Sequence, residues 1–515
     1  VRTSATSGRL PPPSRNMRMI WACESVIKKR RAAGYDTIAA EPVFAMPARA
    51  KSASETPDRA PLSELTALSP ADGRYAGKTQ ILRGIFSEFG LMRRRVAVEV
   101  RWFKALAACA QIPQLPALSD EQNIFLDNIA ANFSPADARA IKKIESQTRH
   151  DVKAVEYFLK ERLDAGPGLA PAREFVHFAC TSEDINNLAC ALMLRDGLAQ
   201  VLLPALDRLS AQLERHAGHW AELPMLARTH GQAASPTTVG KEFRVFAARC
   251  KNLARQITGV QLGGKINGAT GNYNAHIIAC PAVDWRALSA ELVASLGLAH
   301  HDCTTQVAPN DDIAALLHAV CRFNSALLDM NRDLWGYIAL GYFGQRAGKN
   351  EVGSSTMPHK INPIDFENSE GNIGIANALA QHLAAQLPLS RWQRDLSNST
   401  VIRNLGLVFA HTLLAAAAAA NGLGKLTVDR KALARDLEHN PQVLAEAVQT
   451  VMRLHGIRGS YEQLKELTRG KSELTLEELR GFVRGLKIPG RDKQRLLQLA
   501  PHSYTGMAAD IARRP

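Results

Sequence analysis

Apolar residues recur at three- and four-residue spacing over five long windows of this chain: 183–217, 236–259, 310–343, 367–388 and 400–421. That period lays one apolar stripe along a helix. The windows exceed the usual length of globular helices, so they predict a bundle of extended antiparallel helices. The alanine run 415–420 would let two such helices approach closely. The same spacing covers 80–111 and 120–132, and Ser119 or Asp120 is placed to cap the second of these. Asp151 stands where it would cap a helix over 153–164. Thr181-Ser182-Glu183-Asp184 reads as another helix start, with free amides and a hydroxyl able to meet an anion. Few stretches alternate with the period of a strand. The expected fold is all-α, with an N-terminal helical domain over 61–170, a central long-helix bundle over 171–423 and a smaller helical domain over 424–515.

Residues 1–60 break the pattern. They hold Pro11-Pro12-Pro13, the cluster Lys28-Lys29-Arg30-Arg31 and a Ser/Ala/Pro-rich run up to Pro61, and no helical period persists. They read as a disordered extension without a catalytic part, either of transit-peptide composition or from a start assigned too far upstream. Net charge is +14, but this segment has eleven Lys/Arg against five Asp/Glu, which leaves +8 for the other 455 residues. A nucleic-acid partner would need a basic face interleaved with aromatics, or a known reading motif. Neither is present, and a modest basic balance suits anionic small molecules, phosphate esters first.

Hydrophobic content of 46% and charged content of 22% are those of a soluble globular protein. The eight cysteines are scattered without a Cys-x-x-Cys pair, which argues against a zinc site or disulfide framework and fits a reducing cytoplasm. Arg403, Asn404 and His411 interrupt the best apolar run, so no membrane span is expected.

Four polar clusters carry candidate chemistry. Gly353-Ser354-Ser355-Thr356-Met357-Pro358-His359-Lys360-Ile361-Asn362-Pro363 cannot be a helix interior, because both prolines lack an amide hydrogen and restrict the residue before them. This loop offers a hydroxyl pair, a fixed cation and an amide, groups suited to holding and deprotonating an anionic molecule. Ala227-Arg228-Thr229-His230-Gly231-Gln232 is a polar loop between helices with one histidine. Thr148-Arg149-His150-Asp151 precedes a helix, and Arg394 and Arg403 flank Ser399 within 391–404. Arginine presents a planar fork to carboxylate or phosphate. Taken singly, these clusters also read as a solvated linker, an exposed histidine and ion-paired helix starts. No His/Cys/carboxylate group has metal-ligand spacing, and the Gly-rich run 263–272 lacks the spacing of a phosphate-binding P-loop.

The 353–364 stretch resembles the signature loop of the fumarase/aspartase superfamily, and its Met-Pro-His-Lys-x-Asn-Pro form is similar to the adenylosuccinate lyase branch. The resemblance extends over roughly 65–515 and includes Gly264-Lys265-Ile266-Asn267-Gly268 and Lys465-Glu466-Leu467-Thr468-Arg469-Gly470-Lys471. It implies a fumarase/aspartase-like fold and β-elimination of fumarate from N-succinyl purine nucleotides. It also implies His230 as general acid and Ser354, rather than Ser355, as base. Substrate would be bound by Arg74, Tyr75, Arg149, His150, Asp151, Thr181, Ser182, Gln306, Lys360, Asn362, Arg394, Ser399 and Arg403. A homotetramer with active sites shared between subunits is implied as well, with no cofactor and no metal. Two readings compete: another lyase of the superfamily, acting on argininosuccinate, fumarate or a cycloisomerase substrate, and a noncatalytic relative. His359, where fumarases and aspartases typically carry glycine, disfavours fumarases and aspartases, and joint retention of His230, Ser354 and Lys360 disfavours a noncatalytic relative.

Overall fold

The computed structural model describes residues 61–346, 356–357, 359–468 and 474–514. After three short helical turns between Ala76 and Phe86 the chain enters α1 (Glu88–Ala107), capped by Ser87. Ser119 and Gln122 close a capping box on α2 (Asp120–Ala131), and Ser134 and Asp137 do the same for α3 (Pro135–Thr148). Helix α4 spans Asp151–Asp164. Its cap is His150, not the expected Asp151, because His150 has the extended dihedrals a cap requires and its ring nitrogen accepts the Lys153 amide at 3.2 Å.

The long windows form the bundle. Helix α5 runs through Ser182–His219 with a π-helical stretch at Leu198–Leu202. A hairpin of β1 (Pro224–Thr229) and β2 (Gln232–Thr238) follows, then α6 (Val239–Thr258) and α7 (Asp311–Ala339). Strand β3 (Phe343–Gln345) precedes α8 (Ile364–Gln386) and α9 (Leu405–Lys425). Strand β4 (Leu426–Val428) pairs antiparallel with β3, and α10 (Arg430–Glu438) begins the C-terminal segment. Helices α5 to α9 pack against one another. Ala415 and Ala419 in α9 are fully buried, as the alanine run predicts. Trp102, Phe323, Phe366 and Phe409 fill the core, and a separate small cluster around Leu444, Met452 and Val483 holds the C-terminal helices together.

Three segments, Ser182–His219, Asp311–Ala339 and Ser397–Lys425, are long and apolar enough by mean hydropathy to cross a membrane. This differs from the sequence expectation, since the polar residues near Arg403 fall at the edge of an otherwise apolar window. The windows are 67%, 67% and 56% buried within the fold, so packing against neighbouring helices accounts for their apolar content.

Candidate active site

Three chain breaks meet around a cavity of about 360 Å³. The first follows α3, where Arg149 takes a left-handed conformation (φ 53°) that ends the helix and turns the chain into His150. Because His150 Nδ1 accepts the Lys153 amide, its proton resides on Nε2, which lies 3.5 Å from Ser182 Oγ. The second break is the start of α5, where Thr181 and Asp184 form a capping box and Ser182 and Glu183 line the cavity wall.

The third break, between α8 and α9, supplies Arg394, Ser399 and Arg403. Arg394 donates to Gln306 Oε1 at 2.9 Å and lies 3.2 Å from Glu183 and 3.5 Å from Ser399 Oγ. Arg403 reaches Glu88 at 2.9 Å and Asp151 Oδ2 at 3.0 Å. The same Asp151 oxygen accepts from Arg95 at 2.7 Å. Burial pushes the Asp151 carboxyl upward, but Arg95, the Val152 amide and Arg403 outweigh it and hold the group below the ordinary range. Burial also pushes the Cys190 thiol in the cavity wall up to about 12, so it stays protonated at neutral pH.

Behind this wall, Asp184 and Lys265 form an ion pair at 2.8 Å with both side chains fully buried. Asp184 also accepts from the amides of Asn267 and Gly268. The Gly-rich run is thus pinned beneath the first turn of α5 and acts as a brace. Among the described residues, no group of three or more His, Cys, Asp or Glu converges to hold a metal ion.

The cavity therefore gathers Arg149, His150, Asp151, Ser182, Arg394, Ser399 and Arg403, with Gln306 and Thr181 in support. The remaining expected residues lie elsewhere. Tyr75 Oη accepts from Asn368 at 3.0 Å, which sets Arg74 and Tyr75 beside the opening turns of α8. Lys360 and Asn362 immediately precede α8, and that end of α8 is tied to the far end of α9 by a 3.0 Å Lys425–Asp365 ion pair. The 21 residues of α9 set this point roughly 30 Å from the cavity at 1.5 Å per residue. His230 occupies the exposed tip of the β1–β2 hairpin, not the irregular loop expected, because Thr229 pairs with Gln232 across a two-residue turn. The hairpin follows the end of α5, which sets it roughly 57 Å along the bundle from the cavity. Arg228 ion-pairs with Asp436 of α10 at 2.6 Å and anchors the hairpin there. Ser354 and Ser355 lie outside the described residues.

Arg95, Glu88 and Glu183 were not expected in the site. A signal existed for Arg95: it shares the inward face of α1 with Leu91, Trp102 and Leu106, and an inward charge at helical spacing asks for a partner.

The all-α long-helix bundle is the fold of the lyases of the fumarase/aspartase superfamily, and the family matches place the chain among them. The family described as Lyase matches residues 73–377, and that described as Adenylosuccinate lyase C-terminal matches 390–505. Among solved structures the chain is similar to a fumarate lyase from Mesorhizobium sp. BNC1. The TM-score is 0.68 at 20% identity, with 84% of this chain and 96% of that one covered. It is also similar to 3-carboxy-cis,cis-muconate lactonizing enzyme from Pseudomonas putida, with a TM-score of 0.66 at 20% identity over 84% and 95% of the two chains. These two establish the fold alone. Adenylosuccinate lyase from Vibrio cholerae is 54% identical over 451 residues, 87% of this chain and 99% of that protein. That from Escherichia coli K12 is 53% identical over 447 residues, 87% and 98%. The chain belongs to the adenylosuccinate lyase family and is a lyase.

Proposed function

We propose that this lyase removes fumarate from adenylosuccinate, releasing AMP, and from succinyl-aminoimidazole carboxamide ribotide, releasing AICAR. The observation that carries the substrate reading is the cavity in which Arg149, Arg394 and Arg403 face the opening turn of α5. Three guanidiniums beside a helix N-terminus suit a nucleotide's phosphate.

The reaction breaks a C–N bond. A base takes the proton on the carbon beside a carboxylate, the resulting electron pair spreads into that carboxylate and then expels nitrogen, and an acid protonates the nitrogen as it leaves. Ser354 is assigned as the base, activated by loop amides and by Lys360; Lys360 and Asn362 stabilise the charge of the intermediate. His230 is assigned as the acid, since imidazole is the side chain most often used to pass a proton to a leaving group. His150, with its proton on Nε2, would orient substrate. This chemistry requires neither cofactor nor metal.

Separation of His230, Lys360 and the cavity within one subunit supports a homotetramer whose active sites draw on several subunits. The reading places the protein in the cytoplasm with small-molecule partners, and with neither nucleic acid nor membrane. Incubation with adenylosuccinate, following AMP and fumarate, tests it. The parent should turn over, and Ser354→Ala and His230→Ala should each lower kcat by about 10²–10⁴. A folded parent inactive on adenylosuccinate but active on argininosuccinate would replace this reading with that of a neighbouring lyase.

A further inference from the structure

Arg95 sits at the back of the cavity and is only 2% exposed. Its Nε donates to Asn186 at 2.8 Å and its Nη2 to Asp151 at 2.7 Å, so it joins α1 to the starts of α4 and α5. Its Nη1 is buried and has no hydrogen-bond partner among the described residues. A guanidinium buried with one amine unsatisfied is a poor device for stability alone, since desolvation of the charge is incompletely offset. Its position suggests what it does instead. Asp151 Oδ2 is shared by Arg95 inside and Arg403 outside, and the Arg403 side chain is 43% exposed. If Arg403 swings toward a ligand's phosphate, Asp151 loses one of its two cations. Without Arg95 that carboxylate would be left half-buried and unpaired, and it would hold Arg403 back.

We propose that Arg95 is a positioning residue, the fixed counter-cation of Asp151 that releases Arg403 to bind the substrate's phosphate. This rests on the reading that Arg403 meets that phosphate. In this role Arg95 acts through Asp151 and sets how strongly that carboxylate competes for Arg403.

A double-variant cycle on the full-length enzyme with adenylosuccinate as substrate tests it. Arg95→Gln should raise KM about tenfold, the worth of one charge-assisted contact, while kcat stays within about threefold. In an Asp151→Asn background there is no carboxylate to neutralise, so adding Arg95→Gln should change KM by less than about twofold. The double variant should therefore bind better than Arg95→Gln alone, a rescue that a merely structural role would not give. An equal rise in KM in both backgrounds overturns the proposal, as does an unchanged KM in Arg95→Gln. Should Arg95→Gln fail to fold, a rise in KM on adding it to Asp151→Asn still overturns the proposal, because no carboxylate is then left to compete for Arg403. Arg403→Gln separates the premise from the inference: an unchanged KM there removes the phosphate role of Arg403, whatever the cycle gives, and turnover by the parent tests the lyase reading independently.

Discussion

His177 and Glu99 form a 2.6 Å ion pair that ties the segment leading into α5 to α1, with the Glu99 side chain fully buried and His177 15% exposed. Burial lowers the imidazole's affinity for a proton, but Glu99, helped by Glu156 and Asp184, outweighs it and raises His177 above its ordinary value. A raised folded value means the pair stabilises fully below the unfolded value of about 6.5, and that this contribution is lost as pH rises through the folded value. The urea midpoint at fixed protein concentration should accordingly fall between pH 6 and pH 9. Glu99→Gln should flatten that slope and cost about 3–5 kcal/mol at pH 6, as breaking a buried pair does. A midpoint that rises with pH over this range would contradict the assignment. At this scale much of the site was legible: His150, Arg394, Ser399 and Arg403 stand in clusters whose residue types announce anion chemistry, and the fold brings them together. Their counter-ions were not legible. Glu88 and Glu183 look like ordinary first-turn acids of α1 and α5, and nothing local reveals that each faces an arginine more than two hundred residues away in sequence.

Among the elements, the β1–β2 hairpin departs most from expectation, and it carries His230 at its exposed tip. Its two-residue turn puts both His230 (φ 53°) and Gly231 (φ 77°) in the left-handed region. Asn-Gly is the favoured pair for such a turn, so histidine at the first position is held there against local preference. His230→Asn should therefore leave Tm unchanged or slightly higher while kcat falls about 10²–10⁴-fold. Calorimetry and turnover on one preparation give both readings; retained turnover would remove His230 from the chemistry, and a large drop in Tm would mean that the ring is structural. The hairpin escaped the sequence reading because β2, Gln-Ala-Ala-Ser-Pro-Thr-Thr, has no apolar alternation, and Pro236 looks like a helix's first turn. The long helices were legible for the opposite reason: each repeats one period over 20 or more residues, as α6 does, so chance matches average out.

For the whole molecule, the order of elements dictates a distance that one subunit cannot close. The cavity lies at the start of α5, and His230 lies beyond its end, with 38 residues of helix between them. At 1.5 Å per residue that is roughly 57 Å, several times the length of a nucleotide, and the hairpin's ion pair to Asp436 anchors it at the far end. If His230 and Arg403 serve the same reaction, they must come from different subunits, brought together by antiparallel packing of bundles under closed symmetry. Two variants, each inactive alone, should then complement one another. His230→Ala lacks the acid at every site, and Arg403→Ala lacks a phosphate ligand at every site. When subunits of the two are dissociated, mixed in equal amounts and reassembled, a site drawing these residues from different chains is intact in one case of four, so roughly a quarter of parental activity should return. Activity should rise with the extent of subunit exchange, followed by native mass spectrometry of differently tagged chains. Full exchange with no regained activity would place both residues in one chain's site, which the length of α5 forbids, and would therefore remove one of them from the reaction.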